Sequence, residues 1–303
     1  MTENHSISAA APQGETPQPV VPPAANGERE TARADVSQPD AFRPDNELKA
    51  MEVAQLAGHI LLENGAEISR VEETMDRISA YFGVETKNFF VLSNGIFTTG
   101  GSRDFRQEYA KVEHIPVRGT QMDRVVAVCQ FSRDVENGQY TTEQALRRLR
   151  EIQQMPPKRR SLQILASGIG SGCFCYLFGG NLSDSAVALV AGLLLYVFVM
   201  YVSAPHMSKI LGNICGGLLA SAVCLLAFHW NMGDHLSRMI IGAVIPLIPG
   251  VPFTNGIRDL ADGDYISGIV RLADAVLIFI CIAVGVSLTL VAGQSWIGGT
   301  LIW

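Results

Sequence analysis

The sequence lacks the residue spacings that would indicate a metal centre or a phosphate-binding loop. Its six cysteines include Cys173 and Cys175, but residues two apart on a helix point to different faces, and no histidine or second cysteine pair at zinc-type spacing accompanies them. Gly100 and Gly101 are followed by Ser-Arg-Asp, without the helix start that a phosphate-cradling loop requires. We therefore predict no metal, no cofactor and no enzymatic activity.

Residues 1–46 lack the apolar and aromatic side chains from which a core is built. They hold seven of the fourteen prolines and a single aromatic residue, Phe42. Such a segment buries too little apolar area to offset its chain entropy, so it is predicted to be a disordered tail. A basic start followed by an apolar core is also missing, and we expect no signal peptide there.

Charged residues are missing from five stretches of the second half of the chain, after Pro156 and Pro157. These stretches are residues 162–178, 185–202, 210–230, 239–253 and 275–293. Each is close to the length needed to cross about 30 Å of hydrocarbon. Residues 158–303 are therefore predicted to form a membrane α-helical bundle of five transmembrane helices, which implies contact with a lipid bilayer.

Residues 47–157 have the mixed periodicity of an N-terminal α+β domain. An apolar-periodic helix over 48–63 is expected to end at Gly65, and the S-x-x-E pattern of Ser69 and Glu72 predicts a capping box for a second helix that ends near Gly83. A third helix is predicted over 120–135, and Thr141 or Thr142 should cap a fourth one before Pro156.

The extended segments of this domain surround Asn94-Gly95, a dipeptide typical of tight hairpin turns. Strands are predicted over 87–93 and 96–99, with a third over 109–117. An acidic cluster around Gly65 could do acid–base chemistry, but helix capping and solvated helix faces explain it more simply. Its members are Glu63, Asn64, Glu67, Arg70, Glu72 and Glu73.

The stretch over 243–275 departs from the pattern of the other apolar runs. Pro246, Pro249, Pro252 and Gly250 interrupt a segment that is otherwise long enough to span a bilayer, and each proline removes a backbone donor. A broken spanning helix is tolerated where it is buried in protein or lines a wet cavity. Directly after the break come Asn255, Arg258, Asp259, Asp262, Asp264, Arg271 and Asp274.

The basic residues that flank the predicted spans indicate the orientation of the chain. With five spans, one side carries Lys158, Arg159, Arg160, Lys209, Arg258 and Arg271, and the other carries Arg238. Because cytoplasmic flanks are rich in Lys and Arg, the N-terminal domain is predicted to be cytoplasmic and the C-terminus extracytoplasmic.

Two motifs carry a resemblance to a known family. PGVPFTNGIRDLADGDYISGIVRLADA, together with LLENGAEISRVEETM at 61–75, is similar to the N-terminal half of the threonine/serine exporter family, in its short five-span form. The resemblance covers about residues 47–295. It implies an inner-membrane exporter of small carboxylated metabolites, either threonine and serine or a dicarboxylate such as succinate, that pairs with a second small membrane subunit. Nucleic acid is not an expected partner.

The broken stretch is our candidate site for such a solute. A carboxylate needs positive charge and backbone donors, so Pro249, Gly250, Asn255, Arg258 and Arg271 are expected to bind substrate. The candidates for proton coupling are Asp259, Asp262 and Asp274. Asp274 lies three residues after Arg271 and could instead be its salt-bridge partner. The competing interpretation is a cytoplasmic loop with surface ion pairs.

Two other functional classes remain open at this stage. A non-transporting regulatory subunit would sense a metabolite through the soluble domain while a partner carries the flux. A membrane-embedded hydrolase would need a nucleophile, for which His206 beside Ser203 and Ser208 is the only sequence hint.

Overall fold

The computed structural model of the chain describes residues 44–84, 86–101, 108–116 and 119–297. The predicted tail lies outside the described residues up to position 43, and its last three positions already belong to the first helix. That helix begins at Pro44, since the fixed φ of proline suits the first helical position.

The described residues up to Gln153 fold into four helices and one three-stranded sheet. The elements are α1 (Pro44–Glu63), α2 (Ile68–Tyr81), β1 (Thr86–Leu92), β2 (Gly95–Gly101), β3 (Glu108–His114), α3 (Met122–Glu136) and α4 (Thr142–Gln153). The apolar faces of the helices and the inner face of the sheet share one core, which includes Ile60, Met75, Ile96, Val128 and Leu149.

The predicted helix ends are confirmed at two positions and wrong at a third. Gly65 follows α1 with a φ of 79°, and Thr141 caps α4 in a reciprocal capping box with Gln144. The capping box at Ser69 is wrong, because α2 begins one residue earlier, at Ile68, with Glu67 in the N-cap position. Ser69 therefore lies inside the first helical turn.

The hairpin is confirmed, but its turn is shifted by one residue. The sheet has the order β1-β2-β3 with antiparallel neighbours, and Leu92 pairs with Gly95. The central residues of the turn are therefore Ser93 and Asn94. The lack of a side chain at Gly95 allows β2 to lie close to β3, since a Cβ at this position would be 3.0 Å from the Glu113 carbonyl oxygen.

The rest of the described chain is helical. Its elements are α5 (Arg160–Leu177), α6 (Leu182–Phe198), α7 (Ala204–His206), α8 (Lys209–His229), α9 (Leu236–Val244), α10 (Gly250–Ala261) and α11 (Tyr265–Ile297). Among the described residues, three segments are long and apolar enough to cross a membrane: Leu182–Ser203, Lys209–His229 and Tyr265–Gln294. A bent pair, α9 and α10, makes up to four. The count of five spans is therefore not confirmed.

The proline-rich stretch interrupts the helix as predicted. Helix α9 ends at Val244, a 3-10 turn covers Ile245–Leu247, and α10 starts at Gly250. The two helices are bent by 68°. Pro252 does not contribute to the break, because it lies in the first turn of α10, where the backbone donors have no intrahelical partner in any case.

Candidate functional site

The hairpin formed by α10 and α11 contacts the turn between α1 and α2, and we call this contact the junction. Its residues on the turn are Gly65, Ala66, Glu67 and Ile68, and those on the hairpin are Asn255, Arg258, Asp259 and Arg271. The junction joins residues about 190 positions apart in the sequence. It therefore connects the α1–α2 turn directly to the helix that follows the proline break.

Backbone groups that the turn leaves without helical partners are satisfied by the hairpin. The Asn255 side-chain amide donates to the Gly65 carbonyl oxygen over 2.9 Å, and Arg271 Nη2 donates to the Ala66 carbonyl oxygen over 2.9 Å. The backbone N–H of Ile68 donates to Asp259 Oδ1 over 3.3 Å. Helix α2 has no side-chain cap of its own, so the hairpin supplies one.

Asp259 and Arg271 form a buried ion pair at the centre of the junction. Asp259 Oδ2 lies 3.1 Å from Arg271 Nη1, and their side chains are 1% and 10% exposed. Desolvation of both charges is costly, and the pair is tolerated because the turn gives each residue a further hydrogen bond. Removal of either partner would leave the other charge buried and uncompensated.

Arg258 and Glu67 form a second ion pair at the edge of the junction. The Arg258 side chain is 58% exposed and the Glu67 side chain 15%, so water screens the contact from the arginine side and the pair is worth about 0–1 kcal/mol. Glu67 also lies 3.6 Å from Arg70 of α2. The interpretation as surface ion pairs thus describes Arg258, but it does not describe the buried Arg271.

The hairpin also covers one end of the outer edge of the sheet. The backbone N–H of Ser93 donates to Ser267 Oγ of α11 over 3.1 Å, and the N–H of Val91 donates to a Glu72 carboxylate oxygen over 3.2 Å. Burial raises the pKa of Glu72, the Val91 hydrogen bond opposes this, and the nearby Asp264 adds to the rise. Two edge donors are thereby paired, one of them by the α10–α11 hairpin.

Pro249 and Gly250 lie apart from the charged residues that follow them. Pro249 is buried in front of α10 and Gly250 is exposed at its start. At about 1.5 Å per helical residue, Asp259 lies roughly 13 Å further along the helix. The structure therefore brings Asn255, Arg258, Asp259 and Arg271 together, and it leaves the break itself at the other end of α10.

Asp262 and Asp274 lie outside the junction. Asp262 is exposed at the end of α10, and Asp274 pairs with Lys209 of α8 over 2.5 Å. The alternative in which Asp274 is the salt-bridge partner of Arg271 is therefore wrong. The fold of the hairpin places the buried face of α10 against Arg271, whereas Asp274 points towards α8.

A pocket of about 310 Å³ opens beside the junction. It is bounded by the α1–α2 turn, by α3 and by α10, and its lining residues include Glu67, Arg70, Val125, Cys129, Arg133 and Asn255. We call it the junction pocket. Its position was not predicted, because the sequence gives no sign that α3 and α10 are neighbours.

Asp184 is a second feature that the sequence did not reveal. This fully buried carboxylate accepts hydrogen bonds from the backbone N–H groups of Asn181, Asp234 and His235 over 3.0, 2.7 and 3.1 Å, and it lies 2.9 Å from His235 Nδ1. It ties the loop before α6 to the loop before α9. The N-x-x-D capping pattern from Asn181 to Asp184 was the only available signal.

The residues suggested for a hydrolase, Ser203, His206 and Ser208, lie between helices α6 and α8. Ser208 Oγ accepts from the Leu211 N–H over 3.4 Å and caps α8, while Ser203 ends a π-helical turn. His206 lies in the short helix α7, between these two serines. The segment is thus a connection between two long helices.

Fold and site together define a mostly helical protein that has, among its described residues, three or up to four segments apolar enough to cross a membrane, and whose α1–α2 turn contacts the bent α9–α10 pair. The family model described as "Putative threonine/serine exporter" matches residues 52–292. Since this is most of the chain, the protein belongs to the threonine/serine exporter family. No solved structure matches the chain.

Three relatives show how far the similarity extends. "Probable succinate transporter subunit YjjP" of Escherichia coli (strain K12) is 24% identical over 245 residues, which cover 79% of this chain and 94% of that protein. The protein of the same name from Klebsiella aerogenes is 24% identical, covering 78% and 92%. "Uncharacterized protein C7D4.12c" of Schizosaccharomyces pombe is 22% identical over 75% of this chain and 31% of that protein.

Proposed function

We propose that the protein is one subunit of an exporter of small carboxylated metabolites in the inner membrane. Two relatives of similar length are named as succinate transporter subunits, and the family is one of exporters. The observation that carries the proposal is the 68° break between α9 and α10, since a discontinuous span is a common way to hold a polar solute at membrane depth. A second small membrane subunit would complete the transporter.

The proposed topology has five spans and a cytoplasmic N-terminal domain. The spans are α5, α6, α8, the α9–α10 pair and α11. Helix α5 has 18 residues and would reach about 27 Å, slightly less than the usual hydrocarbon thickness of about 30 Å. Lys158, Arg159 and Lys209 lie at predicted cytoplasmic ends, which supports this orientation.

In this proposal the junction is a closed state of the cytoplasmic side. Arg271 and Asn255 are engaged by the α1–α2 turn, and a substrate carboxylate would compete with Asp259 for Arg271. Arg258 would contribute charge at the rim, while Pro249 and Gly250 would place the first N–H groups of α10 along the pathway. Asp259, Asp262 and Asp274 would take part in proton coupling. Protonation of Asp259 would weaken its ion pair with Arg271.

A second candidate function is a non-transporting regulatory subunit. The junction favours this function, because it links the proposed soluble domain to the α10–α11 hairpin. A metabolite sensor would require such a link. In that case the partner subunit alone would carry the flux.

Flux measurements in liposomes separate the two functions. Vesicles loaded with radiolabelled succinate, threonine or serine would contain this protein, its partner subunit, or both, and an imposed pH gradient would test coupling. The exporter proposal predicts efflux that requires both subunits. Full efflux from the partner alone would contradict it and favour the regulatory role.

A further inference from the structure

We propose that the junction pocket is a binding site for a small soluble carboxylate. The proposal does not depend on the exporter function, because it concerns ligand binding to this chain alone. It rests on the charge, the size and the position of the pocket.

The residues that line the pocket carry a net positive charge. Arg70 and Arg133 face one acid, Glu67, and the Glu67 carboxylate is already shared between Arg258 and Arg70. Arg133 is anchored by its Nε, which donates to the Cys129 carbonyl oxygen over 3.3 Å. An arginine guanidinium offers a planar fork of donors that can bind a carboxylate in bidentate fashion.

The remaining walls suit a short carbon chain. Met122, Val125 and Val126 are apolar lining residues. Asn255 and Gln130 also line the pocket, and their amide nitrogens already donate to the Gly65 carbonyl oxygen and to Asp134. A volume of about 310 Å³ lies at the lower end of small-molecule sites, which run from about 300 to 1,000 Å³. A dicarboxylate or an amino acid of a few carbons fits this description better than a nucleotide.

The position of the pocket determines how a bound ligand would affect the junction. Its walls come from α3, from the α1–α2 turn and from α10, so a bound ligand contacts both sides of the junction. A ligand that binds only when these three elements are together stabilises that arrangement by linkage. Occupancy of the pocket would therefore hold the soluble domain against the helix that follows the proline break.

Cys129 provides a direct probe, because its thiol belongs to a lining residue. The full chain, purified without its partner into nanodiscs, would be treated with N-ethylmaleimide, and modification of Cys129 would be followed by peptide mass spectrometry. Succinate, threonine and inorganic phosphate would be titrated separately. A parallel set of nanodiscs would contain anionic phospholipid and no added metabolite, to test whether a lipid headgroup is the source of the anion.

The proposal predicts that succinate or threonine slows the modification of Cys129 in a saturable manner. Arg133→Gln should weaken this protection about tenfold or more, since it removes a charged hydrogen-bonding partner. The matched control is Arg148→Gln, an exposed arginine of α4 that pairs with Glu151, and it should leave protection unchanged.

Three results would overturn the proposal. They are no protection by either carboxylate, equal protection in Arg133→Gln, and protection that requires phosphate or anionic lipid in place of a carboxylate. A transporter that proved inactive in liposomes would leave these binding results intact, so the two proposals can fail separately.

Discussion

Asp259 of α10 accepts a hydrogen bond from the backbone N–H of Ile68, a residue 191 positions earlier in the chain. Ile68 is the first residue of α2, and its donor has no partner within that helix. A carboxylate at this end also interacts favourably with the helix dipole. The start of α2 is thus stabilised by a residue of the α10–α11 hairpin, so the helices on either side of the α1–α2 turn and the helix after the proline break are energetically linked.

Loss of the Asp259 carboxylate should loosen the start of α2. Asp259→Ala leaves Arg271 buried without its partner and removes the cap from Ile68, which should cost about 3–5 kcal/mol. Hydrogen exchange measured by mass spectrometry would report faster exchange in residues 66–72. Asp262→Ala, an exposed residue at the end of the same helix, should change stability by about 0.5 kcal/mol or less, and similar effects of the two variants would contradict the assignment.

A double substitution separates the structural role of the ion pair from its transport role. In Asp259→Leu with Arg271→Met no charge remains buried, and such replacements are often neutral or stabilising. We expect the double variant to be more stable than Asp259→Ala, because no unpaired charge stays buried, but less stable than the wild type, because the Ile68 N–H and the Ala66 carbonyl oxygen lose their partners. Succinate efflux should be lost, because Arg271 is the proposed carboxylate ligand. Normal efflux by a stable double variant would remove both residues from the mechanism.

Close packing of α10 on α11 should be sensitive to one added methyl group. A Cβ at Gly268 would lie 2.9 Å from the Gly256 carbonyl oxygen, which is backbone and cannot easily move. Gly268→Ala should therefore destabilise the hairpin by about 1–3 kcal/mol, seen as a lower thermal unfolding midpoint. Gly250→Ala is the matched control, since a Cβ there would meet nothing within 4 Å; a comparable loss in this control would contradict the packing argument.

The part of the fold that contains the sheet should lose stability in acid through Glu113. Its carboxylate accepts from Gln55 over 2.8 Å and lies 2.9 Å from His59 Nδ1 and 3.1 Å from Lys111 Nζ. Burial raises the pKa of Glu113, but the hydrogen bonds from Gln55 and Lys111 outweigh burial and lower it overall. The folded domain then binds this proton less readily than the unfolded chain does.

Stability from Glu113 is therefore present above its unfolded pKa of about 4.3 and is lost as pH falls through the lower folded value. We expect Glu113→Gln to lower the thermal unfolding midpoint at neutral pH, with the difference from wild type shrinking as the pH drops below about 4. The measurement is thermal unfolding across pH. A difference that stays constant with pH would contradict the role of the charge.

Local signals in the sequence were sufficient for most helices and strands. Gly65 ends its helix because glycine adopts positive φ, and Thr141 starts its helix through a side-chain cap. The prolines at 246 and 249 each remove a backbone donor, so they break the helix whatever the rest of the fold is. The errors came from partners distant in sequence. Ser69 carries a valid capping pattern, but Asp259 supplies the cap, and no local rule can anticipate a carboxylate from the other end of the chain.

The charged cluster shows the same limit. Spacing alone suggested Asp274 as a partner for Arg271, because residues three apart share a helix face. The α10–α11 hairpin instead places Asp259 against Arg271. The junction pocket and Asp184 could not be predicted for the same reason, since both are assembled from segments that meet only in the folded chain.

Efflux from liposomes that contain this protein and its partner subunit tests directly whether Arg271 binds the transported carboxylate. Wild-type protein and Arg271→Gln would be reconstituted at equal density, loaded with radiolabelled succinate, and followed under an imposed pH gradient. We expect efflux from the wild type and a rate at least tenfold lower in the variant. Undiminished efflux from a correctly inserted Arg271→Gln protein would contradict it.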